Sequence, residues 1–362
     1  MRGLTFHGPH DVRVDDLPEP TIMDPTDALV RVTMAGICGS DLHVYHAGDA
    51  LGITPGTRLG HEFIGTVEAV GGEVRSVAPG DRVLAAVHAC DGVCAYCREG
   101  KSYACTSLSI FGWGPHVWRA GGDVQGGQSE LVRVPLADGT LVRMPEVLSD
   151  PEHEATLLPL VDVMSTGWHG LTGCRIEAGQ AVVVIGDGAV GLSAVHGARA
   201  LDAGPIVCLG HHEDRLALAR RLGATHTATS RNPEEIREIV AEATGGQGAH
   251  GVVDTISSTE SMEAAYAAVR SGGTIASMGM DHFMGKRPEV NWYHQFTRNI
   301  TITGGYIPGP AYLGRLLSLV EAGRMDPSPL ITHRLPVAAA PEGYRLMADR
   351  AEGVVKVALT PA

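Results

Sequence analysis

Two textures of apolar and polar positions divide this chain. Over the first 150 residues the apolar runs are short and end in glycine. Leu29-Val30-Arg31-Val32-Thr33-Met34 predicts a strand, Phe63 to Gly71 predicts another closed by Gly71-Gly72, and Arg82 to Val87 follows a Pro79-Gly80-Asp81 turn. Short strands with glycine turns predict a compact, barrel-like β domain. From Gln180 the pattern changes to apolar runs alternating with helical stretches. Strands are expected at Ala181–Ile185, Ile206–Leu209, Gly251–Thr255 and Gly273–Met278, and helices at Val190–Leu201 and Glu213–Leu222. That alternation predicts a parallel, doubly wound sheet. After about residue 305 the first texture returns, with a helix over Ala311–Ala322 and a closing strand over Val354–Leu359. The expected organisation is therefore a catalytic domain over 1–152, an inserted α/β domain over 153–304, and a return to the first domain over 305–362.

Bulk properties narrow the partners. A length of 362 residues is too great for one core, and 44% hydrophobic with 19% charged residues describes an ordinary globular protein. A net charge of −13 argues against a nucleic-acid partner, which needs a clustered basic face. The opening Met1-Arg2-Gly3-Leu4-Thr5-Phe6 runs into His7, Pro9 and Asp11, so no apolar signal core is expected and the cytoplasm is the default compartment. Of seven cysteines, four crowd between Cys90 and Cys105, which points to metal binding rather than disulfides. Four thiolates around one ion suit a closed structural zinc site.

The stretch from Gly36 to Glu62 carries the first candidate chemistry. Cys38 and His61 each sit in a glycine-bearing turn and are soft ligands suited to zinc. Ser40 brings a hydroxyl and His43 a group that titrates near neutral pH. A metal beside these two is the equipment for taking a proton from an alcohol.

A second signal is Gly186-Asp187-Gly188-Ala189-Val190-Gly191, a G-x-G-x-x-G after one strand and opening one helix. Its glycines permit a tight turn and the approach of a pyrophosphate to the helix N-terminus. The acidic residue that usually ends the second strand and holds the ribose 2′-OH is missing, with Gly210 in its place. Gly210 leaves room for a 2′-phosphate, and His211, His212 and Arg215 are placed to contact it, so NADP is preferred over NAD. The plainer alternative makes Glu213 and Arg215 a solvated first helical turn.

Together these motifs resemble the zinc-dependent medium-chain alcohol dehydrogenase family, over nearly the whole chain. The resemblance also takes in Val77–Val83, the cysteine cluster, Gly126-Gly127-Gln128-Ser129-Glu130, Thr166-Gly167-Trp168-His169 and Val355-Lys356-Val357. It implies an α/β plus β fold, a Rossmann-type doubly wound sheet inserted into a GroES-like β-barrel catalytic domain. It makes Cys38, His61 and Asp162 the ligands of a catalytic zinc, Glu62 a nearby glutamate able to ligate transiently, and Asp41 the partner orienting His61. The carboxylate of Asp162 lies in an apolar run, where it needs a cation. Ser40 and His43 match the family's proton relay, passing a proton by way of the nicotinamide ribose while hydride leaves for the ring. Thr166, Gly186, Gly188, Ala189, Val190, Gly191, Gly210, His211, His212, Arg215 and Lys356 fall to the cofactor side. The family spacing C-x2-C-x2-C-x7-C is met by Cys94, Cys97 and Cys105, but three residues separate Cys90 from Cys94. Cys90 is preferred as the fourth ligand, with Asp91 the alternative. Cys174 and Cys208 are expected as core thiols.

The loop from Ile110 to His116 places Phe111 and Trp113 either at a substrate cleft or in ordinary packing, with Tyr45, Ala86 and Trp292 weaker candidates. Ile300–Gly305 resembles the family's dimerising edge strand, implying a homodimer or homotetramer. The leading expectation is an alcohol dehydrogenase or carbonyl reductase acting on a small alcohol, aldehyde or ketone. An NAD-dependent polyol, threonine or formaldehyde-type dehydrogenase is the runner-up, and a non-catalytic dinucleotide-binding zinc protein the reading from another class. A zinc-free quinone reductase is disfavoured by the Cys38–His61 pair.

Overall fold

The computed structural model describes residues 1–114, 124–280 and 288–361. Contacts divide the chain into one unit of Met1–Asp162 with Pro308–Ala362 and a second of Val163–Ile307. Both boundaries fall later than the expected steps at 152/153 and 304/305. The reason for the first is the short helix Glu154–Pro159, which packs on the strands Ala28–Ile37 and Glu62–Val70 of the first unit. Arg82 pairs with Glu154 and ties that helix down.

In the first unit a seven-stranded sheet centres on Ala28–Ile37. Its alternation is plain: Val30, Val32 and Met34 are buried while Arg31 is exposed, the pattern of a strand with one face on a core. The strand is long enough for several neighbours. Glu62–Val70 runs antiparallel along one side, whereas on the other Leu131–Val134 takes the first half and Lys356–Thr360 the last. The register sets Gly36 opposite Glu62 and Ile37 opposite Val357. Cys38, His61 and Lys356, each next to a registered residue, thereby arrive at one end of the sheet.

The second unit is a six-stranded parallel sheet in the order His226–Ala228, Ile206–Leu209, Val182–Ile185, Ala249–Asp254, Val269–Ser277, Thr301–Gly304. The order reverses between Val182–Ile185 and Ala249–Asp254, so the ends of these strands mark the ligand crevice of a doubly wound sheet. Val182 to Val184 and Ile206 to Cys208 are all at most 2% exposed, as strands covered by helices on both faces must be. Ala189–Ala200 follows the first strand and Glu213–Leu222 the second. Cys174 and Cys208 are buried core thiols. Among the described residues, no helix is long and apolar enough to cross a membrane.

Candidate active site

The turn after Ala28–Ile37 brings Cys38 to the start of the neighbouring strand. Cys38 Sγ lies 3.1 Å from Asp162 Oδ2, and His61 Nε2 lies 3.1 Å from the same oxygen. Ligand atoms of Cys38, His61, Glu62 and Asp162 all fall within 4.8 Å of one another. Asp162 is carried by a single π-helical turn, Leu160–Met164, a local widening that recurs at functional sites. All three expected ligands thus belong to the first unit, with Asp162 its last residue before the second. Ser40 Oγ stands 3.3 Å from His61 Nε2. His43 is half-buried on the helix Asp41–Ala47, its N–H bonded to Ser40 O.

Burial sets the protonation of this cluster. It pushes the Cys38 thiol up to about 12, with the charges of Asp162 and Glu62 adding to the effect. Burial works against a charged His61, but Asp41 and Asp162 outweigh it and hold the imidazole well above its usual pKa. For Asp162 burial is likewise overcome, by the hydrogen bond and charge of His61, so the carboxyl stays below its usual range. A thiol, an imidazole and a carboxylate facing one point in a buried pocket fit a zinc ion.

Around these ligands runs a buried polar network. Asp41 Oδ1 faces His61 Nδ1 at 3.2 Å and Asp41 Oδ2 accepts the Cys38 N–H at 3.0 Å, so one carboxylate touches two of the expected ligands. Gln128 Nε2 donates to that oxygen at 3.1 Å and to Gly36 O at 2.8 Å. Glu62 pairs with Lys356, both fully buried. Only glycine fits at position 36, because a Cβ there would collide with Glu62 Oε2. Lys356, expected on the cofactor side, is 0% exposed and directs its ammonium at Glu62 inside the first unit. A carboxylate buried this completely requires such a counter-charge.

In the cysteine lobe both candidates for the fourth ligand lie close to other thiols, Cys90 beside Cys97 and Asp91 beside Cys94 and Cys105. Atoms of Asp91, Cys94, Cys97 and Cys105 lie within 4.8 Å of one another. Cys90 is buried and its thiol donates to Gly139 O at 2.9 Å. The extra residue in the first gap puts Asp91 at the regular spacing. Burial would raise the Asp91 carboxyl, but the N–H groups of Cys94 and Val93 hold it at about 2, a ready anionic ligand.

In the second unit the glycine loop joins Val182–Ile185 to the helix Ala189–Ala200, with Gly186 at φ +111 and Gly188 at the N-cap. A Cβ on Gly191 would run into Gly186 O, which accounts for the last glycine of the motif. Ala189 and Val190 open the helix. Thr166 sits on the helix Ser165–Gly173. Gly210 is buried, His211 exposed, and His212 and Arg215 half-buried at the start of Glu213–Leu222.

Residues 24–146 match the alcohol dehydrogenase GroES-like domain, and residues 189–322 match the zinc-binding dehydrogenase domain. A probable zinc-binding alcohol dehydrogenase of Mycobacterium tuberculosis is 35% identical over 100% of this chain and 89% of its own length. The chain belongs to the zinc-dependent alcohol dehydrogenases, in the medium-chain dehydrogenase/reductase family. Among solved structures, an alcohol dehydrogenase from Thermus sp. ATN1 superimposes with a TM-score of 0.90 at 33% identity, covering 100% of both chains. A putative zinc-binding dehydrogenase from Sinorhizobium meliloti 1021 reaches 0.80 at 26% identity, covering 99% of each.

This alcohol dehydrogenase holds site residues that sequence reasoning passed over. Gln128 lies inside the Gly126–Glu130 motif, and Tyr344, which bonds to it, carries no local signal in the sequence. Asp187 was read as a variable position of the glycine loop. The absence of an acid at 210 was the available hint that one is supplied from elsewhere. Phe111 packs edge-on against Phe63 in the core, and Ala86 and Trp113 are buried too. Tyr45 meets His10 edge-on and Tyr344 at a tilt, Trp292 is 75% exposed in the second unit, and His116 lies outside the described residues.

Proposed function

We propose that this protein interconverts a primary or secondary alcohol and its aldehyde or ketone, with a nicotinamide dinucleotide as hydride partner. The observation that carries the reading is the convergence of Cys38, His61 and Asp162 on one point, with Ser40 beside it. Zinc held by these three residues would supply Lewis-acid polarisation of the substrate oxygen. Ser40 accepts the hydroxyl proton and His43, on the next helical turn, takes it to solvent. Asp41 keeps His61 oriented, and Lys356 neutralises Glu62 so that a second carboxylate can stand beside the ligands. A second zinc is assigned to the lobe, with Asp91 as the fourth ligand in place of Cys90.

The dinucleotide rests on Gly186, Gly188, Ala189, Val190 and Gly191 at the strand ends; the Gly186 N–H is taken by Leu209 O, so the phosphates fall to the N-terminus of the helix Ala189–Ala200. Gly210, His211, His212 and Arg215 support NADP, and the related Sinorhizobium meliloti structure is a complex with NADP. Asp187 weighs the other way, since its carboxylate occupies the space over Gly210. The balance favours NAD as the hydride partner. A homo-oligomer is inferred through Thr301–Gly304, an edge strand whose outer backbone groups invite a second copy.

Zinc analysis combined with a screen of alcohols and carbonyls against both cofactors tests the proposal. About two zinc ions per chain and turnover that disappears in Cys38→Ala are expected. A fully zinc-loaded protein transferring no hydride across a broad panel would refute it.

A further inference from the structure

We propose that Asp187, the first variable residue of the glycine loop, selects between NAD and NADP by supplying from that loop the carboxylate missing at the end of the second strand. The inference rests on the glycine loop binding a dinucleotide, as argued above.

In a doubly wound sheet the acid that receives the adenosine ribose ends the second strand. Here that strand, Ile206–Leu209, is followed by Gly210. The space a side chain would use is already filled. A Cβ built on Gly210 would meet Asp187 Oδ2 at 2.5 Å. Asp187 is only 6% exposed, so it is held in this place and does not sweep through solvent. Asp187 Oδ2 accepts the N–H of His211 at 2.6 Å and of His212 at 2.8 Å, and His212 Nδ1 stands 3.0 Å away. Arg215 Nη1 lies 3.8 Å from Asp187 Oδ1.

Two adjacent backbone N–H groups, an imidazole and a guanidinium aimed at one point form the kind of cradle that recognises a phosphate. In this protein a side-chain anion sits in it. A 2′-phosphate arriving over Gly210 would meet a like charge and two N–H groups already satisfied. A ribose 2′-hydroxyl would find an acceptor with lone pairs to spare. The missing acid therefore does not open the site to NADP, because the same charge returns from a different loop. The His211 N–H and Arg215 remain beside that position once the charge is gone, and Arg231 Nε donates to His211 Nε2 at 2.8 Å.

The test uses AMP and adenosine 2′,5′-bisphosphate, which carry only the adenosine end and need neither alcohol nor metal. Their equilibrium affinities are measured on the wild type, Asp187→Asn, Asp187→Ser and the double variant Asp187→Gly/Gly210→Asp, in which the Cβ at 187 that would strike a side chain at 210 is gone, with thermal unfolding followed in parallel. Asp187→Asn keeps an acceptor for the two N–H groups while removing the charge. The affinity ratio of bisphosphate to AMP should rise about tenfold or more in both single variants, tenfold corresponding to ~1.4 kcal/mol. The double variant should fall back towards the wild-type ratio. The kcat/KM ratio of NADP to NAD should follow the same order. A ratio within about twofold of wild type in whichever single variant stays folded overturns the assignment to Asp187. Failure of both nucleotides to bind the wild type overturns the reading of the glycine loop itself, and this inference with it.

Discussion

Tyr344 Oη donates a 2.8 Å hydrogen bond to Gln128 Oε1, and both side chains are completely buried. Through Gln128 Nε2 the bond reaches Asp41, which holds the Cys38 N–H and faces His61. A residue of the C-terminal segment thus bears on two ligands that lie near the start of the chain. Removing the Gln128 donor frees Asp41 to shift. Gln128→Ala should weaken zinc binding up to about 10-fold, the low end of the effect of losing a ligand's own partner, because Gln128 acts one step further out through Asp41. Tyr344→Phe leaves Gln128 Oε1 buried without a donor and should cost about 1–3 kcal/mol of stability. Competition against a chromophoric chelator and denaturant unfolding separate the two effects, and Gln128→Ala binding zinc as tightly as wild type would contradict this role.

Zinc uptake should be steeply pH dependent. Without metal, the Cys38 thiol at about 12 is protonated, and His61, raised by Asp41 and Asp162 against the effect of burial, is charged. Binding must expel both protons. Affinity should therefore rise with pH, by about 100-fold per unit if two protons leave, across the neutral range. For the metal-free protein the sign is opposite. The contribution of charged His61 is fully present below the ordinary histidine pKa and is lost as pH rises through the raised value. Chelator competition at several pH values checks the first statement, and a flat profile would contradict it.

The lobe offers a direct comparison of neighbouring residues. Asp91→Ala should lose the lobe's zinc, reducing zinc from about two ions per chain to about one. Cys90→Ala, whose thiol bonds to Gly139 O, should keep it. Atomic absorption on both variants decides, and the reverse outcome restores Cys90 as the ligand.

The Lys356–Glu62 pair is buried on both sides. Lys356→Met leaves an uncompensated carboxylate next to the ligands and should destabilise the fold by about 3–5 kcal/mol. Adding Glu62→Gln should recover most of that loss, because the neutral amide needs no counter-charge. Urea unfolding of the single and double variants measures the coupling. Equal stability of the two would show that Glu62 does not depend on Lys356.

Local pattern determined much of this molecule. The alternation in Ala28–Ile37, the apolar runs at Val182–Ile185 and Ile206–Leu209, and the glycine loop between strand and helix each depend on neighbouring residues, so the sequence displays them. Cys38, Ser40 and His61 were legible for the same reason: a ligand's chemistry belongs to its own side chain. What only the tertiary structure decided involves space shared by distant segments. The antiparallel register carries Lys356 to Glu62, 294 positions away (356 − 62), and the packing of the helix Ala340–Ala348 carries Tyr344 to Gln128. The fold also brings Asp91 as well as Cys90 up to the other thiols, and the empty position at Gly210 proved to be filled by Asp187. A sequence records which groups are present. Which buried charge finds which partner is set by strand pairing and by the exclusion of water, and these exist only once the chain has folded.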